Sequence, residues 1–101
     1  MSFWVIHDTE ATFEFQEAVA WYEGQTEGLG VRFIREADAV MTAIVSQPFR
    51  FSRVGRKARK ARMPDRPYSI YFVVNEARSE IKVVAVWHGA RNPAKLRQRL
   101  K

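Results

Sequence analysis

Eight basic side chains, Arg50, Arg53, Arg56, Lys57, Arg59, Lys60, Arg62 and Arg66, fall within seventeen residues, with Asp65 the only acid among them. Clustered guanidinium and ammonium groups bind phosphates or carboxylates. In an extended segment the side chains at i and i+2 project together, so two of them can hold adjacent anionic groups. Read as a strand, 57–63 places Lys57, Arg59 and Ala61 on one face and Ala58, Lys60 and Arg62 on the other. The competing reading is a solvated edge strand whose charges deter aggregation. Such protection takes a few charges, whereas this segment carries eight. A second constellation closes the last apolar run, Trp87-His88-Gly89-Ala90-Arg91-Asn92-Pro93. His88 is of the residue type that suits general acid or base work; alternatively its ring packs by Trp87 and bonds to backbone.

The whole chain divides by charge. Residues 1–49 carry eight acids against Arg32 and Arg35, a formal −6, and residues 50–101 carry fifteen bases against Asp65, Glu76 and Glu80, a formal +12. A concentrated positive field on one part of a small fold attracts a polyanion or an acidic protein segment. Other chemistry is sparse. Two histidines far apart and no cysteine leave no transition-metal site and no disulfide framework. There is no phosphate-cradling glycine loop and no nucleophile elbow, so no cofactor is expected. The carboxylates sit mainly in helical segments, where a solvated outer face accounts for them. Trp21, Tyr22 and Phe33 read as core or partner-facing residues.

The elements that must position these groups follow from periodicity. With 101 residues, 47% of them apolar and 13% aromatic, residues 1–101 form a single domain with one core. Phe3-Trp4-Val5-Ile6-His7 reads as a first strand. Asp8 or Thr9 offers an N-cap, and Ala11, Phe15, Ala18 and Tyr22, widened by Val19, mark a helix to about Gln25. Gly28-Leu29-Gly30 suits a tight connection to a second helix carrying Phe33, Ile34, Ala37, Val40, Met41, Ile44 and Val45, which stops before Pro48. The pair forms an antiparallel hairpin. Further on, Ile70, Phe72 and Val74 alternate with Tyr71, Val73 and Asn75. Ile81, Val83, Ala85 and Trp87 likewise alternate with Lys82, Val84 and Val86, giving two inner strands joined by a hairpin at 75–80. Residues 50–63 supply one or two less regular strands, and Ala94 to Lys101 a short basic helix or tail. The prediction is an α+β layer: an N-terminal strand and a helical hairpin packed on one face of a mainly antiparallel β-sheet. Met1-Ser2-Phe3-Trp4 has no secretory n-region, and the apolar runs are too short to span a bilayer. A cytoplasmic protein with no membrane partner is expected.

The ordered set Trp21-Tyr22-Glu23-x-Gln25-x-x-Gly28-Leu29-Gly30-x-x-Phe33, Pro48, Arg59, Pro67-Tyr68-x-Ile70-Tyr71 and Val86-x-His88-x-x-Arg91-x-Pro93 resembles the RelE/ParE toxin superfamily of plasmid stabilisation toxins. It covers nearly the whole chain, and its start looks most like the ParE branch. The resemblance implies the toxin of a type II toxin–antitoxin pair, forming a hetero-oligomer with a small antitoxin whose acidic and apolar C-terminal segment wraps around it. It also implies either of two targets. ParE-like members poison DNA gyrase by binding; RelE-like members are metal-independent endoribonucleases that cut mRNA on the ribosome. Arg59 falls on a recurrent family arginine, and His88 and Arg91 on a His-x-x-Arg pair, so these three are the implied catalytic set if the chain is a nuclease. Arg53, Arg56, Lys57, Arg59, Lys60, Arg62, Arg66 and Arg91 make up the expected basic groove. Arg66 stands where the family usually has phenylalanine, and no tyrosine follows Tyr71, a position type RelE-like nucleases often use. A third reading is a regulatory basic module that only binds an antitoxin.

Overall fold

The computed structural model describes residues 2–101. In chain order the elements are β1 (Trp4–His7), α1 (Thr9–Gln25), α2 (Leu29–Ser46), a 3-10 turn (Pro48–Arg50), β2 (Arg53–Val54), β3 (Ala58–Arg62), β4 (Tyr68–Asn75), a second 3-10 turn (Glu76–Arg78), β5 (Glu80–His88) and α3 (Pro93–Arg99). The five strands form one sheet in the order β1-β5-β4-β3-β2. Only the β1–β5 pairing is parallel; the others are antiparallel. The two strands expected to be inner are inner.

The α1–α2 hairpin is made by one carboxylate and two glycines. Glu23, near the end of α1, accepts the backbone N–H of Gly28 at 3.0 Å and that of Gly30 at 2.9 Å. These are first-turn donors of α2 that no intrahelical carbonyl can satisfy. The same bonds, that to Gly28 first, hold the Glu23 carboxyl below its ordinary range. Gly28 has φ +89°, and a Cβ on Gly30 would lie 2.9 Å from the Glu23 carboxylate and 3.0 Å from the Val19 carbonyl. Neither position accepts a larger residue without strain.

The hairpin covers one face of the sheet. Ala11, Ala18 and Tyr22 of α1 and Phe33, Ala37, Val40 and Ile44 of α2 pack on Ala61, Met63, Ile70, Phe72, Ile81, Val83 and Val86. Phe33 is fully buried at the centre, with ring centroids 5.0 Å from Tyr22 and 5.4 Å from Tyr68. On the opposite face Leu96 and Leu100 of the C-terminal segment cover Tyr71, Val84, Ala85 and Trp87. That second, smaller layer was not expected from the sequence.

The alternation expected for β5 holds only as far as Val83. Tyr71 pairs with Ala85 and Phe72 with Val83, so Val84 is the extra residue of a β-bulge. Past the bulge the parity reverses. Ile81, Val83 and Val86 face the helix pair, whereas Val84, Ala85 and Trp87 face α3. His88 consequently turns toward Tyr68 on the helix side, 5.0 Å between ring centroids.

Truncation of Phe33 to alanine should cost about 3–5 kcal/mol, the range for a large buried aromatic. Phe13→Ala, at a side chain 59% exposed, should stay within about 0.5 kcal/mol. Urea denaturation of the two variants beside the parent chain measures both.

Candidate functional site

Two features of the sheet fix where charge can go. At one end β1 stops at His7, opposite Val83, so the following part of β5 loses its strand partner on that side. Glu14 fills the gap. Its carboxylate is 7% exposed and accepts the Val86 backbone N–H at 3.0 Å. It also takes Arg91 at 2.8 Å and Arg99 at 2.7 Å, and Arg99 reaches Glu10 at 2.9 Å as well. Both guanidiniums lie over the Trp87 ring, Arg91 at 3.8 Å and Arg99 at 5.2 Å from its centroid. A carboxylate this dry keeps its charge only where charged donors and backbone surround it. The expectation that the helical carboxylates are solvated is therefore corrected at Glu14, and in part at Glu36, which is 28% exposed and paired with Arg66. Glu14 was legible in principle, since the buried positions of α1 are Ala11, Glu14, Ala18 and Tyr22, which puts an acid within the apolar stripe.

At the other end lies the β2–β3 hairpin. Arg53 and Arg59 are directly paired across it. Arg59 donates to the carbonyls of Phe51 at 2.7 Å and Phe49 at 3.3 Å, and its guanidinium lies 5.2 Å from the Phe49 ring centroid. Arg53 donates to the carbonyl of Arg56 and braces the turn. Arg53, Lys57 and Arg59 line one hollow beside Phe49. Arg56 and Lys57 line a second, on the α3 side, with Lys82 and Lys101. Lys60 and Arg62 project into solvent from β3. Lys82 and Phe49 were not singled out from the sequence: the sheet register is what brings Lys82 to the hairpin, and Phe49 reads as one more apolar residue beside Pro48.

Two members of the expected groove are elsewhere. Arg66 is held by Glu36 of α2 through two bonds of 2.6 and 3.1 Å and lies 5.0 Å from the Tyr22 ring centroid. Its charge is neutralised, not added to a groove. Arg91 belongs to the Glu14 cluster. The implied trio of Arg59, His88 and Arg91 is not brought together either. Arg59 is opposite Phe72 in β4, whereas His88 is opposite Tyr68. Two strand spacings and four residues of rise separate their backbones by roughly 16 Å. His88 is half-buried, its edge against Tyr68, and its Nδ1 accepts the Ala90 N–H at 2.9 Å. That contact leaves Nε2 as the protonated nitrogen of the neutral ring.

An apolar cleft of about 300 Å³ opens where the two helices diverge above the sheet, with Ala11, Phe15, Ala37 and Met41 among its walls and His7 and Asp38 beside them. Among the described residues, no helix is long and apolar enough to cross a membrane.

The fold has solved counterparts. The chain aligns with a structure of the chromosomal ParDE toxin–antitoxin system from P. aeruginosa, TM-score 0.67, over 86% of this chain and 96% of that one at 13% identity. It aligns with the isolated E. coli RelE toxin, TM-score 0.65, over 99% and 100% at 14% identity. The archaeal RelE–RelB complex from Pyrococcus horikoshii aligns at TM-score 0.53, covering 91% and 100% at 15% identity. This is the RelE/ParE toxin fold. No protein-family model and no curated protein matches the sequence.

Glu14→Ala should lower stability by about 3 kcal/mol, since it leaves two arginines and a buried N–H without their acceptor. Glu17→Ala, on the exposed side of the same helix, should change it by less than about 0.5 kcal/mol. Thermal or urea unfolding of both variants is the check. The Glu36–Arg66 pair gives a pH signature. The bond from Arg66 holds the Glu36 carboxyl below its ordinary value, so the pair's contribution is complete above the unfolded glutamate value of about 4.3 and is lost as pH falls through the depressed folded value. Glu36→Gln should flatten that acid limb of the stability profile and leave the slope above pH 6 unchanged.

Proposed function

We propose that this chain is the toxin of a type II toxin–antitoxin pair, that it inhibits DNA gyrase by binding in the manner of ParE toxins, and that a cognate antitoxin neutralises it. Likeness in fold to the ParDE and RelE–RelB structures, over 86% and 91% of this chain, supports the pairing with an antitoxin. The single observation that favours inhibition by binding over catalysis is the dispersal of Arg59, His88 and Arg91. Two of these three have internal work: Arg91 is neutralised by Glu14, and Arg59 is tied to two carbonyls. An acidic and apolar antitoxin segment finds complementary chemistry in the basic β2–β3 hairpin and the apolar cleft between the helices. The charged part of that binding weakens with added salt.

A second reading is a ribosome-dependent endoribonuclease. What favours it is His88, whose Nε2 has no hydrogen-bond partner among the described residues. That N–H can donate a hydrogen bond to a ribose or phosphate oxygen, while Lys60 and Arg62 stand exposed on the same sheet.

Expression without an antitoxin separates these readings. Growth arrest with DNA breaks and an SOS response, unchanged in His88→Ala, is the expected outcome. Arrest with cleaved transcripts that disappears in His88→Ala would replace it with the nuclease. Normal growth of the expressing cells would reduce the chain to a regulatory module.

A further inference from the structure

We propose that the hollow beside Phe49 binds a nucleoside phosphate, with the base stacked on Phe49 and the phosphates held by Lys57 and Arg53. The site is independent of the toxin reading and of the Glu14 cluster. Phe49 lies in the 3-10 turn that follows α2 and remains 49% exposed, although it is a large aromatic in a chain with a well-filled core. Its ring is not loose. Arg59 lies 5.2 Å from the ring centroid and is itself fixed to the Phe49 and Phe51 carbonyls, so the aromatic platform is held before any ligand arrives. A held aromatic surface in water, flanked by cations, is the arrangement on which nucleobases stack.

The hollow has a volume of about 460 Å³, enough for one nucleotide. Its walls are chemically divided. Arg53, Lys57 and Arg59 supply positive charge, whereas Asn75 and Glu76, at the end of β4, supply polar groups of the other kind. Lys57 has no ion-pair partner among the described residues. Arg53 and Arg59 spend only part of their fork on backbone carbonyls, and each guanidinium carries five donors. Asn75 accepts the Arg78 N–H through Oδ1 at 3.3 Å, which leaves its amide NH₂ to donate. The Glu76 carboxylate accepts from hydroxyl or amino groups and repels phosphate. A ligand with an anionic end and a neutral end rich in donors and acceptors satisfies both walls; a bare polyanion does not. A free nucleotide and the phosphorylated end of a nucleic-acid strand share this chemistry.

The test uses the full chain, titrated by calorimetry with GTP, inorganic triphosphate and a 5′-phosphorylated hexaribonucleotide. The nucleotide should bind at least tenfold more tightly than triphosphate. Phe49→Ala should abolish that preference and leave triphosphate binding unchanged, and Phe49→Leu, which keeps apolar bulk without a ring, should behave the same way. Lys57→Ala should weaken both ligands. Binding of the hexamer as tight as that of GTP assigns the site to a strand end, and weaker binding assigns it to free nucleotide. Equal affinity for GTP and triphosphate, an undiminished preference in the natively folded Phe49→Leu chain, or no binding of any probe at millimolar concentration overturns the proposal.

Discussion

The buried carboxylate of Glu14 is the constraint around which the C-terminal third is arranged. A parallel edge strand four residues long cannot cover a nine-residue neighbour. The N–H of Val86 must therefore find an acceptor from another element or be stranded in a dry environment, at a cost of about 1–3 kcal/mol. Glu14 meets that need, but as a carboxylate buried in an apolar stripe it creates another, for positive charge. Arg91 and Arg99 answer it, and because Arg99 ends α3, the same charge balance docks the last helix. One unpaired backbone donor thus leads, through burial and electroneutrality, to the position of a helix that ends thirteen residues further on.

This accounting changes the meaning of the charge asymmetry. The acidic half and the basic half of the chain are not simply two faces offered to partners. Glu10, Glu14 and Glu36 join Arg99, Arg91 and Arg66 across the fold, and Glu23 holds the helix hairpin through backbone. Several of the acids are consumed inside the molecule. The cations left over are concentrated at the β2–β3 hairpin and its surroundings, where Arg56, Lys57, Lys60 and Arg62 have no carboxylate partner among the described residues.

The parts of the fold that were legible in the sequence are those fixed by periodicity and by local punctuation. The α1 and α2 stripes, the stop before Pro48, the Gly28-Leu29-Gly30 connection and the two inner strands all follow from neighbours within a few residues. The β5 bulge was not legible, because Val83-Val84-Ala85-Val86 is apolar throughout and any register satisfies its composition. That one residue of slip moved Trp87 to the α3 face and His88 to the helix face. The site was half legible. Six of the eight basic-groove residues stay at the hairpin, whereas Arg66 and Arg91 left it for Glu36 and Glu14, contacts spanning 30 and 77 positions that no local pattern encodes.

Division of labour between the two ends of the sheet has a physical basis. Charges that hold a fold together are desolvated and geometrically committed, so recruiting them to a ligand would unmake the contact they already serve. Charges that recruit a ligand must stay hydrated and mobile until it arrives. Arg99, 18% exposed between Glu14 and Trp87, is of the first kind, and Arg91 is committed to the same pair although its side chain stays 45% exposed; Lys57, Lys60 and Arg62 are of the second. The outer strand of the hairpin can adjust most easily: β2 is two residues long and contributes only Val54, partly buried, to the smaller apolar cluster, whereas β3 is anchored by the buried Ala58 and Ala61.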